Sequence, residues 1–298
     1  MIRYTAFLFA GLLLLSACSN RPKNEDLSVD FVEPELDELV VSDEAMTEVI
    51  ENIASPLEVA SLLSDLDVPF SVAYLSDPDN MSSYSTNLEM AYFLGALSSD
   101  LGYLNMYNKT GTAINYLSTI NKLTDALDIG QFFDFIKMKR LATSENSLDS
   151  LLFTSMNSFN RMNSHLKQTN RSNLSALMVS GVWIEGLYLA TQVYEKTELE
   201  QVRDVVGQQK HILNDLLIIL ESYEKDDYVQ QIIEGYKKIK AQFDEVTITY
   251  EIGEPETVEV DGMLMVIQAE SSTIEMDAVT LSNIIDITEE IRNKHLNI

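Results

Sequence analysis

The chain predicts an all-α protein, an antiparallel bundle of about seven or eight helices, with a small β-hairpin or irregular insertion before the last one. Three observations lead there. Apolar residues recur at alternating steps of four and three along several long segments, two further segments are apolar on every side, and period-two alternation is confined to Thr247 to Ala269. With 298 residues and 46% hydrophobic content, the chain can bury one large core, so residues 43–298 are read as a single helical domain.

Ser175 to Tyr194, home of the only tryptophan, Trp183, is the most apolar run outside the leader. Wound at 3.6 residues per turn it has no polar face, so it should be a central helix surrounded by others. A membrane span is the competing reading. It is disfavoured by Glu185 at the middle, at about 2 to 4 kcal/mol for a carboxylate in hydrocarbon, and by the lack of bracketing Lys or Arg.

In chain order, Met1 to Ala17 has the form of a secretory leader, with Arg3 as its positive end and Ala6 to Leu15 as a short apolar segment. Residues 18–42 are acidic, contain two prolines and few bulky apolar residues, and read as a solvated tether. Ser55, Pro56, Leu57 and Glu58 form a capping box that opens a short helix to Leu66, and Asp67 to Thr86 is a loop. Asp77, Asp79 and Asn80 begin like a calcium loop, but Met81 and Ser82 stand where a ligand and the obligatory glycine belong.

Asn87 to Tyr107 is the second all-round apolar helix. Asn115 to Leu127 is amphipathic, with Ile114, Leu117, Ile120, Leu123 and Leu127 on its stripe and Gly130 as the stop. Gln131 to Leu141 is a short helix rich in phenylalanine. Three seams follow: Leu148, Leu152, Ser155, Phe159, Met162, Leu166; then Leu199, Val202, Val206, Gln209, Leu213, Leu216, Leu220, opened by a Thr197–Glu200 capping box; then Tyr228, Ile232, Tyr236, Ile239, Phe243, Val246. In Thr247 to Ala269, Asp261-Gly262 suits a tight turn between alternating strands, which must lie on the bundle because an isolated hairpin is marginal. Asp277 to Lys294 closes the fold, with Leu281, Ile284, Thr288 and Ile291 facing inward.

Leu15-Ser16-Ala17-Cys18, directly after the apolar segment, resembles the lipobox of bacterial lipoproteins. The resemblance covers the first eighteen residues and implies cleavage before Cys18, which then carries a diacylglyceryl thioether and an acylated amine such as a palmitoyl amide. Two or more chains, at about 0.8 kcal/mol per buried methylene, anchor stably where one is marginal. Ser19 in place of aspartate implies the outer membrane of a Gram-negative cell, and Lys23, Asn24, Glu25 and Asp26 loosely resemble a surface-export tract. The rest of the chain looks like the uncharacterised helical domains that such lipoproteins carry.

A formal net charge of -27 repels phosphates, which excludes nucleic acid as a partner. With Cys18 as the only cysteine there is no internal disulfide, zinc–thiolate cluster or redox pair. His165, His211 and His295 occur singly and read as surface or cap residues, without metal-binding spacing. No nucleophile elbow, phosphate loop or dinucleotide fingerprint is present, so no cofactor is expected.

The two apolar helices share Asp100-Leu101-Gly102-Tyr103-Leu104 and Glu185-Gly186-Leu187-Tyr188-Leu189, each with an acid one turn before a tyrosine. This likeness suggests two related helical halves. One reading is a pocket lined by Asp100, Tyr103, Trp183, Glu185 and Tyr188, with Gly95, Gly102, Gly181 and Gly186 leaving room for a ligand. The other, which is favoured, is that the glycines allow close packing and each acid is satisfied by a tyrosine, an arginine or water. The expected function is therefore a non-catalytic binding or scaffolding module for a protein or small ligand, held at the membrane by its lipid. An envelope enzyme using the two buried carboxylates is the alternative.

Overall fold

In the computed structural model, residues 68–144, 147–260 and 263–298 are described. The leader, Cys18, the tether and the Ser55 to Leu66 helix lie outside these residues. The described residues form eight α-helices, three short 3-10 turns and a two-stranded antiparallel sheet.

Two 3-10 turns, Val72–Tyr74 and Pro78–Ser83, precede the first helix. Asp77, the first acid of the rejected calcium motif, caps the second turn by accepting the Asp79 amide at 2.9 Å. Helix α1 spans Asn87–Met106 and opens with a capping box the sequence reading missed: Thr86 accepts from the Glu89 amide while Glu89 accepts from the Thr86 amide. Helix α2, Thr110–Ala126, begins five residues before the expected start. On its stripe Leu117, Ile120, Leu123 and Leu127 are buried, whereas Ile114 is exposed and Ala113 takes the inner place. The expected stop at Gly130 falls instead at Asp128, which adopts φ 56° so that the Ile129 amide reaches back to the Thr124 carbonyl. Asn108, Asn170 and Asn297 end α1, α4 and α8 in the same left-handed way, since a short polar side chain tolerates that region better than most.

The expected Gln131–Leu141 helix is two pieces, a 3-10 turn at Gly130–Phe132 and α3 at Phe135–Ala142, because Asp134 caps the latter through the Lys137 amide. Helix α4, Leu148–Gln168, keeps Met162 and Leu166 of the expected seam in the core but turns its inner face by one residue in its first half. Leu151, Thr154, Ser158, Met162 and Leu166 are buried, and Leu152, Ser155 and Phe159 are half-buried. Helix α5, Ser172–Thr197, is long and apolar enough to cross a bilayer, yet 89% of its most apolar window is buried by the rest of the fold. Thr197 ends α5 by donating to the Val193 carbonyl and so caps nothing in α6, Glu200–Glu221, whose N-cap is Leu199. Helix α7 is Asp227–Phe243 and α8 is Ala278–Leu296, with all four of its expected inward residues buried.

Strands β1, Thr247–Val260, and β2, Met263–Glu275, form the hairpin, which runs six residues past the expected end. Its register slips between Ile252 and Pro255. The base of the hairpin rests on α6, where Ile274 fills the space above Gly207 and the Tyr250 hydroxyl shares a 2.8 Å hydrogen bond with His211 Nε2.

Helices α1 to α4 pack in a ring, each on the next and α4 back on α1, and α5 to α8 repeat that order. The two rings meet chiefly along α1 and α5. There a Cβ on Gly95 would stand 2.0 Å from the Met178 carbonyl oxygen, and one on Gly181 would stand 2.0 Å from that of Tyr92. Each glycine thus meets the carbonyl three residues before the other, a local two-fold relation that brings the backbones into direct contact. Tyr92 and Ala96 flank Gly181, and Ser99 lies nearest Gly186, so the two central helices run parallel.

Candidate functional site

One turn beyond the glycine crossing, the two helices bring Asp100 and Glu185 face to face, each with no exposed surface. The glycines allow this, since side chains at the crossing would hold the helices apart. Around the acids stand Ser76 from the segment before α1, Tyr116 from α2, and Arg292 from α8.

Arg292 holds Glu185 with two hydrogen bonds, Nε to Oε2 at 2.9 Å and Nη2 to Oε1 at 2.7 Å. Its Nη2 also donates to the Tyr74 carbonyl at 3.1 Å and to Ser76 Oγ at 3.0 Å, and its guanidinium lies 4.0 Å from the centre of the Tyr188 ring. This fork geometry is what makes arginine, and not lysine, suited to a buried carboxylate. Burial by itself would lower the Arg292 pKa, but hydrogen bonding to Glu185 and its charge outweigh burial and raise it.

Ser76 ties the cluster together. Its amide donates to Asp100 Oδ2 at 3.0 Å, its hydroxyl donates to Glu185 Oε1 at 3.3 Å, and its carbonyl accepts from the Tyr116 hydroxyl at 2.5 Å. Asp100 is pushed well above the ordinary carboxyl range, first by burial and then by the charge of Glu185, against the pull of Arg292. Its other oxygen, Oδ1, meets no donor. A proton on the carboxyl resolves this, because the group then becomes a donor itself, with Glu185 as its acceptor. The site therefore sets one guanidinium against two carboxyls, of which Asp100 is the one that favours its protonated form.

Of the residues singled out from sequence, Asp100, Glu185 and Tyr188 are brought together. Tyr103 stands apart, accepting the Ser71 amide at 3.2 Å and stacking on Phe70 at 5.5 Å. Trp183 faces the other way, edge-on to Tyr236 at 4.9 Å, so it lines no site with the acids. Gly95 and Gly181 serve close helix contact, but Gly102 has nothing within 4 Å of its Cβ position and Gly186 only an ordinary contact with Ser99. Ser76, Tyr116 and Arg292 were missed. Arg292 alone left a trace, one turn after Thr288 on the inward face of α8.

His295, expected as a surface or cap residue, stands in the last turn of α8 but is not at the surface. It is buried between Tyr92 and Tyr228, with ring centroids at 5.8 and 5.7 Å, and burial followed by Lys294 lowers its pKa to about 4.

Among the described residues no group of three His, Cys, Asp or Glu side chains is arranged to hold a metal ion. The polar set can hold a protein segment in place, as Ser76 demonstrates, and the one proton it stores is on Asp100. No protein family, curated protein or solved structure matches the chain.

Proposed function

We propose that the protein is a lipid-anchored module of the bacterial cell envelope that binds or scaffolds a protein or small ligand and performs no chemistry of its own. The observation that carries the non-catalytic reading is the fate of its two best acids. Both have no exposed surface, and Glu185 gives its oxygens to Arg292 and Ser76 of the same chain. A general acid or base must reach a substrate proton, and these carboxyls face groups of the fold itself.

The anchor rests on the resemblance of Leu15 to Cys18 to a lipobox, and the outer membrane on Ser19. Expression of the full chain in a Gram-negative host with a radiolabelled fatty acid tests both. The expected result is acylated protein in the outer-membrane fraction, with label and membrane association lost in Cys18→Ala. Unlabelled protein, or label that survives that substitution, overturns the anchor.

A further inference from the structure

In a chain of net charge -27, the hairpin of α3 and α4 carries a local excess of the opposite sign. Lys137, Lys139 and Arg140 are all exposed, and no carboxylate among the described residues pairs with any of the three side chains. Of the described acids nearby in sequence, Asp134 is occupied as the cap of α3 and Asp149 lies in the first turn of α4.

Beside these cations the same two helices expose large apolar side chains. Ile136 is 87% exposed and Phe153 68%. Ile136 stands six residues before the end of α3 at Ala142, and Phe153 stands five after the start of α4 at Leu148. At about 1.5 Å per residue, both lie roughly 8 to 9 Å along their helices from the connecting turn. The cations and the apolar pair thus occupy one end of one hairpin. The platform is held firmly, with Arg161 donating to the Phe132 carbonyl at 3.0 Å and Phe132 packed on His165.

Exposed cations without a carboxylate partner among the described residues, carried by the same hairpin as exposed Ile and Phe, are the composition of a face that meets a layer with anionic phosphates outside and hydrocarbon behind. The cations gain from the phosphates, and the apolar side chains leave water for the interfacial region. We propose that the α3–α4 hairpin is a membrane-contact face that lays the domain on an anionic bilayer. The net charge of -27 supports the orientation, because headgroup charge repels a chain that is anionic as a whole. The contact does not require the lipid on Cys18.

The test uses the chain from position 18 onward carrying Cys18→Ser, mixed with phosphatidylcholine vesicles made with or without phosphatidylglycerol. The expected result is sedimentation with the anionic vesicles alone. Lys137→Gln/Lys139→Gln/Arg140→Gln weakens it about 100-fold, at roughly fivefold per charge removed. Ile136→Ser/Phe153→Ser weakens it about tenfold or more. All five sites are exposed, and unchanged thermal melting shows that the variants fold. Absence of binding to the anionic vesicles, or binding untouched by both sets, overturns the proposal. So does concentration-dependent self-association that the same substitutions abolish in the absence of vesicle binding, which would make a second copy the occupant. Because acylation is excluded by design, failure here leaves the anchor reading standing, and failure of the anchor leaves this one.

Discussion

Arg292 and Glu185, 107 residues apart, form a two-point ion pair in which neither side chain is more than 3% exposed. It pins the last helix to the central one and, through Ser76 and the Tyr74 carbonyl, fastens the segment before α1 over both. A buried pair of this kind is expensive to break and contributes little net stability over apolar residues of the same shape.

That asymmetry sets the first prediction. Arg292→Met or Glu185→Leu alone leaves a buried charge without its partner and should cost about 3 to 5 kcal/mol. The double substitution should recover most of that loss. Urea unfolding of the four proteins measures it, and additive losses would mean that the two residues do not act as a pair.

The second concerns Asp100. Its pKa is raised in the fold, so the native state holds a proton that the unfolded chain releases above the ordinary carboxyl range. Its stabilising contribution is complete below the unfolded value and declines as pH rises through the folded value. Asp100→Asn keeps a donor facing Glu185 without a titrating proton. Its unfolding midpoint should therefore fall less than that of the parent as buffers are taken from acid to alkaline.

His295 has the opposite sign. A pKa lowered to about 4 means that the fold prefers the neutral ring. The contribution is complete above the unfolded value near 6.5 and is lost as pH falls toward 4, amounting to about 3 kcal/mol across that window. His295→Phe should flatten this part of the stability profile, and an NMR titration of the imidazole should give a midpoint well below 6.5.

The glycines separate sharply. Gly95→Ala and Gly181→Ala each place a methyl 2.0 Å from a backbone oxygen and should force α1 and α5 apart, at about 3 kcal/mol or more. Gly102→Ala meets nothing within 4 Å and should stabilise α1 by about 0.5 to 1 kcal/mol. Melting temperatures of the three variants decide it: losses for the first two and a small gain for the third.

Much of the architecture could be read from periodicity. Val202, Val206, Leu213, Leu216 and Leu220 of the α6 seam, Ile232, Tyr236, Ile239, Phe243 and Val246 of the α7 seam and the inward residues of α8 are buried as their spacing implied, with Leu199, Gln209 and Tyr228 half-buried, because a long apolar stripe has no other way to leave water. Helix ends were less legible. Asp128 and Leu199 end and begin helices where Gly130 and Thr197 looked better suited, since backbone geometry at a cap depends on where the next helix must go. In the first half of α4 the inner face differs by one residue from the apolar seam: Thr154 and Ser158 are buried although polar, which no hydropathy pattern records.

By itself the sequence favoured α5 as a core helix, placed Asp100 and Glu185 at matching positions of two like segments, and favoured an arginine, a tyrosine or water as the partner of each buried acid. These follow from local spacing and the cost of desolvation. Only the tertiary structure decided which residues answer. Ser76, Tyr116 and Arg292 come from three elements as far as 216 residues apart in the chain, and they meet because Gly95 and Gly181 let two helices touch backbone to backbone. Convergence of that kind is a property of packing distance, and a one-dimensional pattern carries no distances.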